Sequence, residues 1–335
     1  MVGIVFLHVS SPIAQDLSGY PLSWWWIANV VYSCTRPAIA LFVMISGMLL
    51  LSPGKEESIQ TFFKKRFVRI VIPFVFWGMV YFFWKTHMQG PEFSLLHAVK
   101  DFIQGPVYYH LWFIYTIAGI YLATPVFRVY VKNASRSNQV YLLVLWFIGT
   151  SLYPLIKYYT GISVGIPVMV AGGFLGAFLL GNFLRDVSVG KRGVVLLWLT
   201  CGACAAFTAC ITYLLSAQNN RAYNGLFEDF LSPNVVVMAI CVFHIFKSTR
   251  FDKMQKSVPL IFKTMTAIGS ASFSVYLMHI LVLEIFKSHL SWFSLSAGTI
   301  HPLIGIPLTA FATLTLCVGV VVVLRKIPYL KLVLP

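Results

Sequence analysis

Charge is what this sequence has least of. Asp, Glu, Lys and Arg make up 10% of its 335 residues, whereas a soluble globular domain carries roughly a quarter, so water is not its main solvent. It also lacks a disulfide framework. Five of its six cysteines lie inside apolar runs and the sixth, Cys34, sits early in one, a placement that favours packing over cross-linking. Cys201 and Cys204 have the spacing of a redox or metal pair, but their surroundings are apolar and no His or Asp is near, so no metal is expected. No repeat, low-complexity tract or linker interrupts the chain, and one helical domain over residues 1–335 is the simplest organisation. A formal net charge of +15 would suit nucleic acid, yet the basic residues fall in short clusters between apolar runs and never along one soluble face.

What the sequence has in abundance is apolar and aromatic surface. Hydrophobic residues make up 59%, aromatics 16%, and the mean hydropathy is +0.81. Apolar stretches fall at about residues 1–14, 25–51, 67–84, 108–127, 140–156, 163–183, 194–215, 231–246, 265–286 and 301–324. Most approach the ~20 residues that a helix needs to cross ~30 Å of hydrocarbon. Lipid cannot satisfy free backbone groups, so the spans must be helices. The expected fold is an all-α, polytopic membrane bundle of about ten transmembrane helices. Alternate connections hold 19 Lys and Arg against five in the other set, with Arg36 inside a span. Cytoplasmic loops carry such an excess, so both termini are expected in the cytoplasm. The first span is short for a crossing and is read as shortened at its N-terminus; a signal peptide is the competing reading, against which stand the missing basic start and His8 in the apolar core.

Ionisable groups inside spans are costly and mark function by default. They are His8, Arg36, His110, His244, His279 and Glu284. At 1.5 Å per residue, His8 lies ~9 Å, Arg36 ~15 Å and His279 ~12 Å below the outer boundary, so the outer half of the bundle gathers a histidine-rich group with Arg36. Each has a packing alternative: a histidine bonded to a neighbouring helix, an ion pair for Arg36, an interfacial anchor for His110, solvation at the outer edge for Glu284. Tyr276 and His279, three apart, share a helix face. On the inner side, Lys64-Lys65-Arg66-Phe67-Val68-Arg69 is dense enough to hold phosphates, though such clusters also bind anionic lipid head groups. The loop over 216–231, with Arg221, Tyr223 and Glu228, is polar and aromatic enough to touch sugar, as exposed loops commonly are.

Five ordered stretches carry a resemblance to a known family. They are Val5-Phe6-Leu7-His8; Arg36-Pro37 running to Ser46-Gly47; Lys65-Arg66-Phe67-Val68-Arg69 running to Pro73; Tyr109-His110-Leu111-Trp112-Phe113 with Tyr121 to Pro125; and Ser274-Val275-Tyr276-Leu277-Met278-His279. Together they resemble acyltransferase family 3, the bacterial integral-membrane O-acyltransferases, and within it the branch containing the O-acetyltransferase of enterobacterial common antigen. The resemblance implies ten helices with cytoplasmic termini in the bacterial inner membrane. It also implies transfer of an acetyl or other acyl group from cytoplasmic acetyl-CoA to a hydroxyl of an extracytoplasmic or lipid-linked glycan. His8 matches the family's essential histidine, Arg36 a recurrent arginine, and Arg66 and Arg69 its cytoplasmic basic motif. One departure stands out: the arginine usual eleven residues before that histidine would precede Met1, which leaves either a shortened start or a true absence.

The expected site therefore has His8 and Arg36 as catalytic groups and Lys65, Arg66 and Arg69 as donor-binding groups. His110, Trp112, Tyr276, His279 and Glu284 are expected around the substrate. A different class stays open, a transporter of an acyl group, lipid-linked sugar or small anion, because buried Arg and His also mark permeation paths.

Overall fold

The computed structural model describes residues 1–335 apart from 53, 55–56, 90–99, 101, 166–172 and 289–294. Among the described residues the chain is helical throughout, with no strand. Its helices are α1 (Val2–Ala14), α2 (Leu22–Thr35), α3 (Pro37–Leu50), α4 (Ile59–Arg66), α5 (Ile72–Gln89), α6 (Trp112–Asn133), α7 (Arg136–Phe147) and α8 (Tyr153–Thr160). There follow α9 (Phe174–Phe183), α10 (Lys191–Gln218), α11 (Pro233–Ser248), α12 (Phe251–Ser257), α13 (Pro259–Ser270), α14 (Ser272–Lys287) and α15 (Pro302–Leu324). A π turn, Phe67–Val71, joins α4 to α5, and a second, Ile148–Leu152, joins α7 to α8.

Among the described residues, seven stretches are long and apolar enough to cross a membrane: Leu22–Leu50, Ile59–Met88, Tyr109–Asn133, Arg136–Thr160, Lys191–Gln218, Leu226–Ser248 and Pro302–Leu324. The bent pair α13 and α14 makes up to eight, and α1 and α9 are shorter apolar helices. Each of the ten apolar runs in the sequence holds one of these elements, although part of the run at 163–183 lies outside the described residues. The 13 residues of α1 extend only about 20 Å.

The run at 265–286 is not one straight span. Its two helices meet at 81° around Ala271. The sequence there, Gly-Ser-Ala-Ser, is short of side chains that would stabilise a continuous helix, and its hydroxyls turn back on the chain: Ser270 Oγ donates to the Ala267 carbonyl and Ser272 Oγ to that of Ile268, each at 2.9 Å. Such local bonds compete with the ladder. The Ser270 carbonyl that the bend frees accepts from the Arg325 guanidinium at 3.0 Å, as an apolar setting demands.

Close helix contact replaces side-chain bulk where α3 crosses α9. A β-carbon on Gly47 would stand 1.7 Å from the Phe178 carbonyl oxygen, and one on Gly181 would stand 1.9 Å from that of Met44. Only glycine allows the two backbones this approach, the small-residue packing by which helices associate in lipid. The stretch Leu226–Ser248 is 61% buried inside the bundle, whereas Lys191–Gln218 is 11% buried; Leu196, Trp198 and Leu199 of α10 face outward, as a helix surrounded by lipid can.

Candidate active site

Three histidines from three separate elements meet inside the bundle. His8 comes from α1, His110 from a short 3-10 turn, Tyr109–Leu111, just before α6, and His279 from the middle of α14. The His8 and His279 ring centroids are 5.2 Å apart, and those of His110 and His279 are 5.4 Å apart. His279 is fully buried and His110 nearly so, while His8 is half-buried. Among the described residues, no group of three His, Cys, Asp or Glu side chains has a geometry that could hold a metal ion.

Tyrosines hold this cluster in place. The Tyr276 hydroxyl donates to the His110 carbonyl oxygen, tying the 3-10 turn to α14. Tyr81 of α5 lies against the turn of α14 that carries His279. Its hydroxyl donates to the Leu277 carbonyl at 2.8 Å and accepts from the Leu281 amide at 3.1 Å, the two groups that the helix ladder would pair with each other. The Tyr81 ring also packs 4.8 Å from that of His110.

The hydrogen bonds of the cluster are incomplete, which is what a reacting site needs and a packed core avoids. His279 Nδ1–H donates to the Tyr276 carbonyl at 2.7 Å. A carbonyl only accepts, so in a neutral ring Nε2 carries the lone pair, and that atom is buried without a partner.

Arg36 and Trp112 belong to a neighbouring cluster. Arg36 caps the junction of α2 and α3, where Pro37 interrupts the ladder. It is 7% exposed, donates from Nη1 to the Tyr32 hydroxyl at 2.9 Å, and lies 4.0 Å from the Phe230 ring centroid. Trp112 stacks on the same Phe230 at 5.7 Å. Beside them Glu228 is wholly buried, accepting from the Tyr223 hydroxyl at 2.5 Å and the Ser33 hydroxyl at 3.3 Å. The polar loop over 216–231 is thus not simply solvated, because its Glu228 turns inward. Arg36 makes no ion pair among the described residues, and its Nε has no partner.

A cavity of about 710 Å³, a size ordinary for a small-molecule site, runs from the basic end of the bundle to Tyr276, whose ring packs against His110 and His279. Ile4, Phe113 and Tyr276 line its deep part, and Tyr276 is the residue shared with the histidines. Arg66, Arg69, Arg325 and Lys331 line its mouth. Lys65 does not line the cavity. It pairs at 2.8 Å with Glu57, which Arg128 also approaches at 3.3 Å, and these two cations hold the Glu57 carboxyl below the usual carboxylate range. Glu284 is half-buried on α14, close enough to act electrostatically on Tyr108 and Tyr109; the Tyr109 ring is 5.7 Å from that of His8.

Of the residues expected at the site, His8, His110, Tyr276 and His279 come together. Arg66 and Arg69 line the cavity mouth, Arg36 and Trp112 form the adjoining cluster, and Lys65 and Glu284 sit apart. Sequence reasoning missed Tyr81, Arg325 and Lys331, and it missed the burial of Glu228. A tyrosine in an apolar run reads as an interfacial anchor, and terminal basic residues read as topology signals, so nothing local distinguishes them.

A family profile described as an acyltransferase domain matches residues 1–322. Over 253 residues the chain is 27% identical to YfiQ of Bacillus subtilis (strain 168), a protein described provisionally as a membrane-bound acyltransferase. The match covers 71% of this chain and 66% of the relative, so the chain spans just under two thirds of that protein's length. No solved structure gives a significant match.

Proposed function

The chain belongs to acyltransferase family 3; from that premise we propose that it is a membrane acyltransferase that moves an acetyl group from cytoplasmic acetyl-CoA to a hydroxyl of an extracytoplasmic or lipid-linked glycan in the bacterial inner membrane. One observation carries this reading: a cavity with Arg66 and Arg69 at its mouth runs inward to Tyr276, beside the histidine cluster. A basic mouth suits the phosphates of CoA, and a narrow apolar depth suits its pantetheine arm and acetyl thioester.

The chemistry needs a base and alignment. The acceptor O–H gives its proton to the imidazole of His8, and its oxygen attacks the thioester carbonyl carbon. The tetrahedral intermediate then collapses, its C–S bond breaks, and the leaving sulfur takes the proton back from the imidazolium. A positioned imidazole contributes about 10²–10⁴ to such a rate, and alignment of the two reactants contributes more. The free Nε2 of His279 offers the hydroxyl a further hydrogen-bonding partner. Arg36, with an Nε that has no partner, supplies positive charge for the oxyanion, a role that a site poor in water strengthens.

The test is transfer of labelled acetyl from acetyl-CoA by the purified protein in nanodiscs, with and without glycan lipids from the same membrane. Wild type should transfer acetyl or hydrolyse acetyl-CoA, and His8→Ala should do neither while still binding CoA. Transfer at the wild-type rate by His8→Ala would remove the histidine from the mechanism. Neither activity in the wild type would return the protein to the transporter reading.

A further inference from the structure

The last residues of the chain, beyond the stretch matched to the family, build one wall of the cavity mouth. After α15 the chain turns under the basic end of the bundle as a 3-10 turn, Pro328–Leu332. It is stitched in place from three sides. Trp77 Nε1 of α5 donates to the Val333 carbonyl at 3.0 Å. Ser274 Oγ of α14 donates to the main-chain oxygen of Pro335 at 2.8 Å. Arg325 spans the gap, donating from Nε to the Leu334 carbonyl at 2.9 Å and from Nη2 to the carbonyl of Ser270. Leu334 is 2% exposed, so this segment is packed into the bundle and is no loose tail.

The four cations of the mouth differ in depth and in occupation. Arg66 and Arg325 are half-buried. Arg66 packs against the Phe62 and Tyr121 rings, 5.1 and 5.5 Å from their centroids, and Arg325 is committed to the strap. Arg69 and Lys331 are exposed at the rim, one from the π turn before α5 and the other from the strap. Neither makes a hydrogen bond or ion pair among the described residues.

We propose that Lys331, carried across the mouth by the strap, completes a rim site with Arg69 for the phosphate monoester on the ribose of CoA. The proposal rests on the acetyl-CoA reading and adds to it a specificity determinant. The order of groups along the donor dictates the assignment. With the thioester deep in the cavity, the diphosphate comes next and the ribose phosphate is the outermost of the phosphates, which matches it to the exposed pair lining the rim. A monoester dianion is the densest charge on the donor, and an ammonium is a compact point charge suited to it. The same rim would also attract the phosphate of an anionic lipid head group, so the test must separate the two sources.

The experiment measures CoA and 3′-dephospho-CoA binding by titration calorimetry to wild type and Lys331→Gln in zwitterionic nanodiscs, repeated with phosphatidylglycerol. The expected result is that Lys331→Gln weakens CoA about tenfold, leaves 3′-dephospho-CoA unchanged, and that Lys331→Arg recovers most of the loss. Lys331 is exposed, so the thermal transition of the free protein should not move. Equal loss for both ligands, or no loss for CoA, overturns the rim site while leaving the acetyl-CoA reading intact. An effect confined to phosphatidylglycerol discs assigns Lys331 to lipid and also overturns it. A wild type that binds neither ligand overturns the acetyl-CoA reading and the rim site together.

Discussion

Two polar clusters inside this bundle, one around Glu228 and Arg36 and one around His279, differ in how their polar groups are partnered. Around Glu228 and Arg36 the carboxylate is well partnered, since Tyr223 and Ser33 donate to it and Gln15 Nε2 donates to the Tyr32 hydroxyl at 2.8 Å, whereas the guanidinium donates only from Nη1, to that same hydroxyl. Around His279, backbone carbonyls hold Nδ1 in place while Nε2 has no protein partner. A satisfied buried network rigidifies a fold. Open nitrogens beside a cavity are sites where something else binds or reacts. On the proposed mechanism the carboxylate side of the first cluster is structural, the unpartnered Arg36 Nε is available to an oxyanion, and the second cluster holds the base.

That contrast can be broken most directly at His8. His8→Ala should lower acetyl transfer by about 10²–10⁴ with little change in thermal stability, measured as initial rate and unfolding midpoint on the same preparation. A fall in midpoint that matched the fall in rate would make His8 a packing residue. Glu228→Ala should behave the other way. It leaves Tyr223 and Ser33 without their acceptor and should cost about 1–3 kcal/mol of stability, while the rate per folded molecule drops less than for His8→Ala. Arg69→Ala sharpens the distinction between chemistry and binding, since it should raise KM for acetyl-CoA about tenfold with kcat nearly unchanged.

The smallest effect belongs to Glu57, outside both clusters. Its carboxyl is held below the ordinary value of 4.5 by the hydrogen bond from Lys65 and by Arg128. A depressed folded-state pKa gives stability that is present above the unfolded value and is lost as pH falls through the folded one. Glu57→Gln should therefore lower the unfolding midpoint slightly at pH 7, and the gap from wild type should close as the pH falls below that of an ordinary carboxylate. A gap that stayed constant with pH would mean that shape and not charge is what Glu57 contributes.

Much of this was legible in the chain. Hydropathy alone places each of the ten apolar elements in order, because the lack of water in the bilayer forces long apolar runs to be helices. The histidines stood out for the same reason, since an ionisable group in such a run is costly and conspicuous. Their meeting was less legible. His8 and His279 are 5.2 Å apart with most of the chain between them, and depth below a boundary says nothing about rotation around a helix axis. Glu228 was misjudged because a carboxylate among Asn, Tyr and Phe looks solvated until its donors from α2 and the loop are seen around it. The break at Ala271 was hidden because the serines around it are too few and too small to divide an apolar run, and hydropathy does not register a change of helix direction.

Composition and the order of residues were enough to decide the solvent of this protein, its helical class and the family it belongs to, because each follows from local rules of burial and from short motifs. The tertiary structure alone decided which polar groups find partners and which stay open. It also decided that a terminal segment outside the matched family closes one side of the cavity. Those outcomes depend on how helices pack and turn against one another, and packing is a property of pairs distant in sequence.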